Sequence, residues 1–144
     1  MSDVQLIAKN WIRAVNAHDP VAIESLLDDA FVWELGGSST TGAAVSAEAW
    51  RKWFVGFPDF TFETLRTISD GDIVAQQVRM RGTHSGPFQF RGTNSLENSL
   101  PATGKAFDLP ACAVHQIRGN RIVHLWAYWD TSTLLKQLGL LPST

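Results

Sequence analysis

The chain is poor in cysteine, with Cys112 as its single thiol. No intrachain disulfide can form, so the fold has to be held by an apolar core. Pro110, Ala111, Ala113 and Val114 surround that cysteine with groups that offer a thiolate no stabilisation, and a packing role is expected. Charge of one sign is also scarce. Twelve Lys and Arg against fourteen Asp and Glu leave a formal charge of −2 with no basic run. That balance excludes an electrostatic footprint for nucleic acid or an anionic membrane surface. No apolar run is long enough to span a bilayer, and Asp3, Lys9 and Arg13 break up the N-terminal apolar residues where a secretory signal would be continuous. A cytoplasmic protein is expected. His84, His115 and His124 stand at no H-x-H or H-x-x-x-H spacing and have no carboxylate at ligand spacing, so no metal site is expected.

What the sequence does contain is hydrophobic residues at 44% and charged ones at 18% over 144 positions, which suits one core and one domain, 1–144. Val4, Ile7, Ala8, Trp11, Ile12 and Val15 recur at helical spacing between Asp3 and Ala17. Asp19-Pro20 opens a short second helix that runs to about Asp28. Phe31, Trp33 and Leu35 alternate as a strand that ends at the flexible Gly36-Gly37-Ser38-Ser39 loop. Ser46 is the expected cap of a third helix carrying Trp50, Trp53, Phe54 and Phe57 on one side, with Pro58 just beyond it.

After Pro58 the spacing changes to alternation. Strands are predicted over Phe60–Leu65, Ile73–Gly82, Phe107–Arg118 and Arg121–Trp129, with tight turns at Ser69-Asp70-Gly71-Asp72 and Gly119-Asn120. Thr83–Lys105 reads as a long loop, and Asp130 as the cap of a last helix that stops at Gly139. Helices first and a meander afterwards define an α+β fold: a curved mixed or antiparallel sheet wrapped around the N-terminal helices. Alternation puts Leu109, Ala111, Ala113, His115 and Ile117 on one face of their strand, and Leu125, Ala127 and Trp129 on one face of the next. Two alanines beside a histidine leave room where a filled core would carry Val or Leu, which points to a pocket.

Three segments then carry a family likeness. Gly82-Thr83-His84-Ser85-Gly86, Pro101-Ala102-Thr103-Gly104-Lys105, and Gly119-Asn120-Arg121-Ile122-Val123-His124-Leu125-Trp126 continuing through Tyr128-Trp129-Asp130 to Leu138-Gly139-Leu140-Leu141-Pro142 resemble, in this order, the SnoaL-like polyketide cyclases. With Asn16-Ala17-His18-Asp19 at the end of helix one, the resemblance covers most of the chain. It implies the cone-shaped nuclear transport factor two-like fold, a deep apolar pocket, homodimers packed through the sheet, and no metal or organic cofactor. The aspartate that acts as acid and base in the family's best-described members falls at Ala127, while the accessory pocket histidine is retained as His115. A pocket tyrosine of some members falls at Val15.

His115 is the first candidate for proton transfer, since a neutral imidazole can accept or release a proton near pH 7. Three carboxylates are candidates to assist it. Glu34 qualifies if it rather than Trp33 points inward, Asp108 if a bulge at Pro110 re-aims its strand, and Asp130 if it is not spent as a helix cap. Val15, Trp33, Trp50, Trp53 and Phe54 are expected to wall a hydrophobic small-molecule substrate from the helices and first strand. Val78, Met80, Ala111, Ala113, Ala127 and Trp129 are expected to do so from the meander. The Pro101–Lys105 turn offers no phosphate-cradling glycine array and is taken as structural. The function this predicts is a cofactor-independent cyclase or isomerase, with a non-catalytic binding or dimerisation module as the alternative and a dehydratase or epoxide hydrolase as a further one.

Overall fold

The computed structural model describes residues 3–89 and 100–141. Helix α1 (Asp3–Asn16) buries Ile7, Ala8, Trp11, Ile12 and Val15 along one stripe, as its spacing dictates. Asp19 caps α2 (Pro20–Ser25) by accepting the Ala22 N–H, and Pro20 stands in the first turn, where its missing N–H leaves no bond unmade. This helix stops short of the predicted Asp28. The Ile122 N–H donates to the Leu26 carbonyl, so the chain has already joined the sheet when β1 (Leu27–Leu35) begins.

Two local expectations are corrected. The predicted Gly36–Ser39 loop is a two-residue turn leading into a strand, β2 (Ser38–Thr41), with Leu35 paired to Ser38 and Gly36 at φ +60. This edge strand is Ser-Ser-Thr-Thr and mostly exposed, so it has no buried face and hence no alternation to read. Helix α3 (Ala43–Gly56) begins at Gly42 rather than at Ser46. Gly42 sits at φ +109, which a residue without Cβ tolerates, and Ser46 lies one turn inside, buried, with its N–H on the Gly42 carbonyl.

The meander is as predicted, with a longer first strand: β3 (Thr61–Asp70), β4 (Ile73–Thr83), β5 (Ala106–Arg118) and β6 (Arg121–Trp129). Across the sheet the order is β2-β1-β6-β5-β4-β3, and only β1 beside β6 is parallel. Asp130 caps α4 (Thr131–Gln137), and Gly139 at φ +74 ends it. Of the long 83–105 connection, residues 90–99 lie outside the described residues. Its two ends are tied together by His84 N–H to Lys105 O, Gly104 N–H to His84 O, and a bridge between Phe88 and Leu100. Gly86 is required there, because a Cβ would stand 2.1 Å from the Val55 carbonyl oxygen.

Register fixes which side chains share the helix-covered face. Trp33, Leu125, His115 and Val74 form one cross-strand row; Leu35, Ala127, Ala113 and Gln76 the next; Trp129, Ala111, Val78 and Thr64 the one beyond. One departure from strict alternation matters. Register shifts between Gln116 and Ile117, which pairs Ile117 with Ile122 and buries both, although strict alternation from Leu125 and Ala127 puts Ile122 on the opposite face. Helices α1 and α3 lie over these rows, and Trp11 and Trp50 meet edge to face at 5.9 Å.

Candidate functional site

Three alanines on the inner face of the sheet, Ala111, Ala113 and Ala127, are buried side by side and leave a gap beneath the tryptophans. The gap measures about 10 Å³, room for roughly one water. Its floor is Val78, Ala111, Ala113, Leu125 and Ala127, with Cys112 between the two alanines. Trp11 and Trp50 cover it from the helices, and Trp33, Phe62 and Trp129 close the sides. Every one of these side chains is apolar or aromatic. The Nε1 of Trp33 is fully buried and has no hydrogen-bond partner among the described residues.

His115 sits one row from the alanines and is completely buried. It packs edge to face against Trp11 with ring centroids 5.0 Å apart, so the indole stands beside the imidazole, and His115 itself does not line the void. Its Nε2 lies 2.7 Å from Oε1 of Gln76, itself 1% exposed. A carboxamide oxygen only accepts, so Nε2 carries the proton and Nδ1 is left with a lone pair. No partner for Nδ1 occurs among the described residues. Burial pushes the imidazole down to about 3 from an ordinary value of 6.5, because a cation there would have no solvation. His115 is therefore neutral throughout the physiological range.

None of the three candidate carboxylates reaches the void. In β1 it is Trp33 that points inward, and Glu34 on the outer face pairs with His124 Nε2. Asp108 stays outside because register runs through Pro110 without a bulge. It takes Arg79 at 2.7 Å and Arg81 at 3.1 Å, and the Arg79 bond, followed by that of Arg81, holds its carboxyl below the usual range. Asp130 accepts the Thr133 hydroxyl at 2.8 Å and backbone N–H at 3.3 Å, which lowers its pKa and commits it to capping.

The proposed walls divide in the same way. Trp33, Trp50, Val78, Ala111, Ala113, Ala127 and Trp129 line the void. Val15 and Met80 are wholly buried elsewhere in the core, Trp53 packs among Phe57, Phe60 and Phe88, and Phe54 stacks on His18. Trp11, Phe62, Leu125 and Gln76 were not singled out from the sequence. Leu125 shared a predicted face with Ala127 and could have been added. Gln76 shares the face of Val78 and Met80 by alternation, but only the register that sets β4 against β5 brings it to His115. Cys112 is half-buried, and burial raises its thiol pKa. Among the described residues no group of three or more His, Cys, Asp or Glu could hold a metal ion, and no helix is long and apolar enough to cross a membrane.

Residues 5–138 match the sequence model of the SnoaL-like polyketide cyclases. The fold superimposes on a proposed SnoaL-like polyketide cyclase from Jannaschia sp. CCS1 with a TM-score of 0.82 at 15% identity, over 97% of this chain and 94% of that one. IdmH from Streptomyces antibioticus, a proposed polyketide cyclase, gives 0.75 at 26% identity, over 94% and 98%. An epoxide hydrolase of the LEH-like type from Mycobacterium tuberculosis gives 0.68 at 19%, over 94% and 89%, a likeness of fold alone. No curated protein sequence matches the chain.

Proposed function

The chain belongs to the SnoaL-like polyketide cyclase family, and from that premise we propose that it is a cofactor-independent cyclase or isomerase acting on an apolar substrate in the void beneath Trp11 and Trp50. The observation that carries this reading is a wholly apolar lining with one neutral, hydrogen-bonded imidazole behind it. The void as it stands admits about one water; enlarged by movement of the Trp11 indole it would hold a flexible chain in a reactive fold and exclude bulk water, and orientation alone can contribute about 7–11 kcal/mol to lowering a barrier. His115 supplies the proton-transfer step: its Nδ1 lone pair can take a proton from an enolising or hydroxylated carbon framework and return it. With a pKa this low it is a weak base, so most of the acceleration is assigned to orientation. For a substrate to enter, the indole of Trp11 has to swing aside, which also uncovers His115.

Incubation of the purified protein with linear polyketide-type chains, carried as simple thioester analogues and without added cofactor, tests this. The expected product is a cyclised isomer of unchanged mass, or one lighter by a water, formed more slowly by His115→Gln. Tight binding of such chains with no conversion would refute the enzyme reading. It would favour instead a non-catalytic binding module, which the alanine at position 127 and a lining that holds no carboxylate among the described residues support as the second reading. Hydration of an epoxide needs a carboxylate beside the reacting water, and the described residues that line the void include none.

The homodimer belongs to the same proposal. On the outer face of the sheet Trp126, Val114, Ala75 and Ile68 form one apolar cross-strand row, with Ile68 59% exposed and Tyr128 nearby 58% exposed. A second copy with the same row is the occupant this surface fits, because a two-fold axis brings like patches together.

A further inference from the structure

Two buried polar atoms are left unpaired on the inner face, and they are complementary. Trp33 Nε1 is a donor and His115 Nδ1 is an acceptor; neither has a partner among the described residues, and their residues are 8% and 0% exposed. Native folds rarely leave such atoms unmatched, because burial strips their hydration without return. Their placement is ordered as well. Trp33 pairs with Leu125 and Leu125 with His115, so the two lie in one cross-strand row on either side of β6. Neighbouring strands are about 4.8 Å apart, which puts the two backbones roughly 10 Å from each other with Leu125, a floor residue of the void, between them.

We propose that Trp33 Nε1 and His115 Nδ1 are a split recognition pair that seats an oxygenated, otherwise apolar ligand across β6 over Leu125. The ligand presents a carbonyl-type acceptor to Trp33 and a hydroxyl donor to His115. Gln76 is a positioning residue in this arrangement: by accepting the Nε2 proton it keeps Nδ1 as the acceptor. Nothing in the apolar floor distinguishes one end of a ligand from the other, so this pair sets the direction in which a substrate lies. The inference rests on the proposed pocket and adds to it the polarity of the ligand and a role for Trp33.

Tetralin, 1-tetralone and 5-hydroxy-1-tetralone are matched probes, respectively without polar groups, with an acceptor, and with an acceptor and a donor at opposite ends. Calorimetric or fluorescence titration should place them in that order of rising affinity, each polar group adding about five- to tenfold. Trp33→Phe should bring the ratio of 1-tetralone to tetralin affinity down to about one, whatever it does to tetralin binding itself. In ¹⁵N-labelled protein the Trp33 indole N–H proton should move downfield with 1-tetralone and not with tetralin, a readout that needs no variant. If tetralin binds and the ketone and hydroxyl add nothing, or if the Trp33 signal ignores the ketone, the recognition pair is refuted and the apolar pocket stands. If none of the three binds, both are refuted.

Discussion

Lowering the pH from 7 to 5 should cost the fold about 2 kcal/mol at His115 alone, because the buried imidazole titrates at about 3 and the same side chain in the unfolded chain at 6.5. The sign follows from the depressed value. At pH 7 neither state binds a proton at this residue, so it takes nothing from stability. Between about 6.5 and 3 the unfolded chain is protonated while the folded one is not, and each proton bound favours unfolding. At pH 5 the difference is roughly one and a half pH units' worth of titration, at 1.36 kcal/mol per unit. For a domain of this size that lowers the melting temperature by roughly 6 °C. His84, whose pKa burial also lowers, contributes in the same direction, so a control has to isolate His115. His115→Gln keeps an amide partner for Gln76 and cannot titrate. Urea unfolding of both proteins at pH 7 and pH 5 should show the wild type losing about 2 kcal/mol more than the variant. Parallel losses in the two would refute the buried, neutral histidine.

Other perturbations read other parts of the structure. Ala127→Asp puts a carboxyl into the apolar void beside Ala113; its pKa should rise by about 3 units or more, so the stability deficit of the variant relative to wild type should shrink as pH falls, measurable by urea unfolding of both at pH 4.5 and 8. Gly86→Ala drives a methyl onto the Val55 carbonyl and should lower stability by about 2–4 kcal/mol, whereas Gly37→Ala, with nothing within 4 Å, should be nearly neutral in the same assay. Ile68→Lys places a charge in the exposed apolar row, and sedimentation velocity should show monomer where the wild type sediments as a dimer.

The fold was legible wherever burial imprinted a period. Helix α1, the four strands of the meander, the Asp130 cap and the Gly139 stop all follow from spacing or capping chemistry in the sequence. The β2 strand was not legible because an exposed edge has no face to alternate, and the α3 cap was missed because Gly42 acts through its backbone while Ser46 only has the right side chain. The burial of Ile122 comes from a register shift, a property of two strands together that neither strand shows alone. For the site, the alanine floor and His115 could be found from alternation. The direction of Glu34 and the Gln76 partnership depended on which strands meet, and the sequence does not state that.

The parallel contact of β1 with β6 joins residues some ninety positions apart, as between Glu34 and His124, while β3 to β6 pair with their neighbours in the chain. Closing loops of that length is the slow part of forming a sheet. The meander, which carries Val78, Ala111, Ala113, Leu125 and Ala127, is thus the part that can assemble locally. Trp11, Trp33 and Trp50 all arrive with the N-terminal third. On the ribosome that third emerges first, and although α1 can dock on β3 and β4 as they form, β1 has to wait for β6, the last strand made, before it joins the meander. The void is then a seam between an early half and a late half, and its lining is the last interior surface to lose its water.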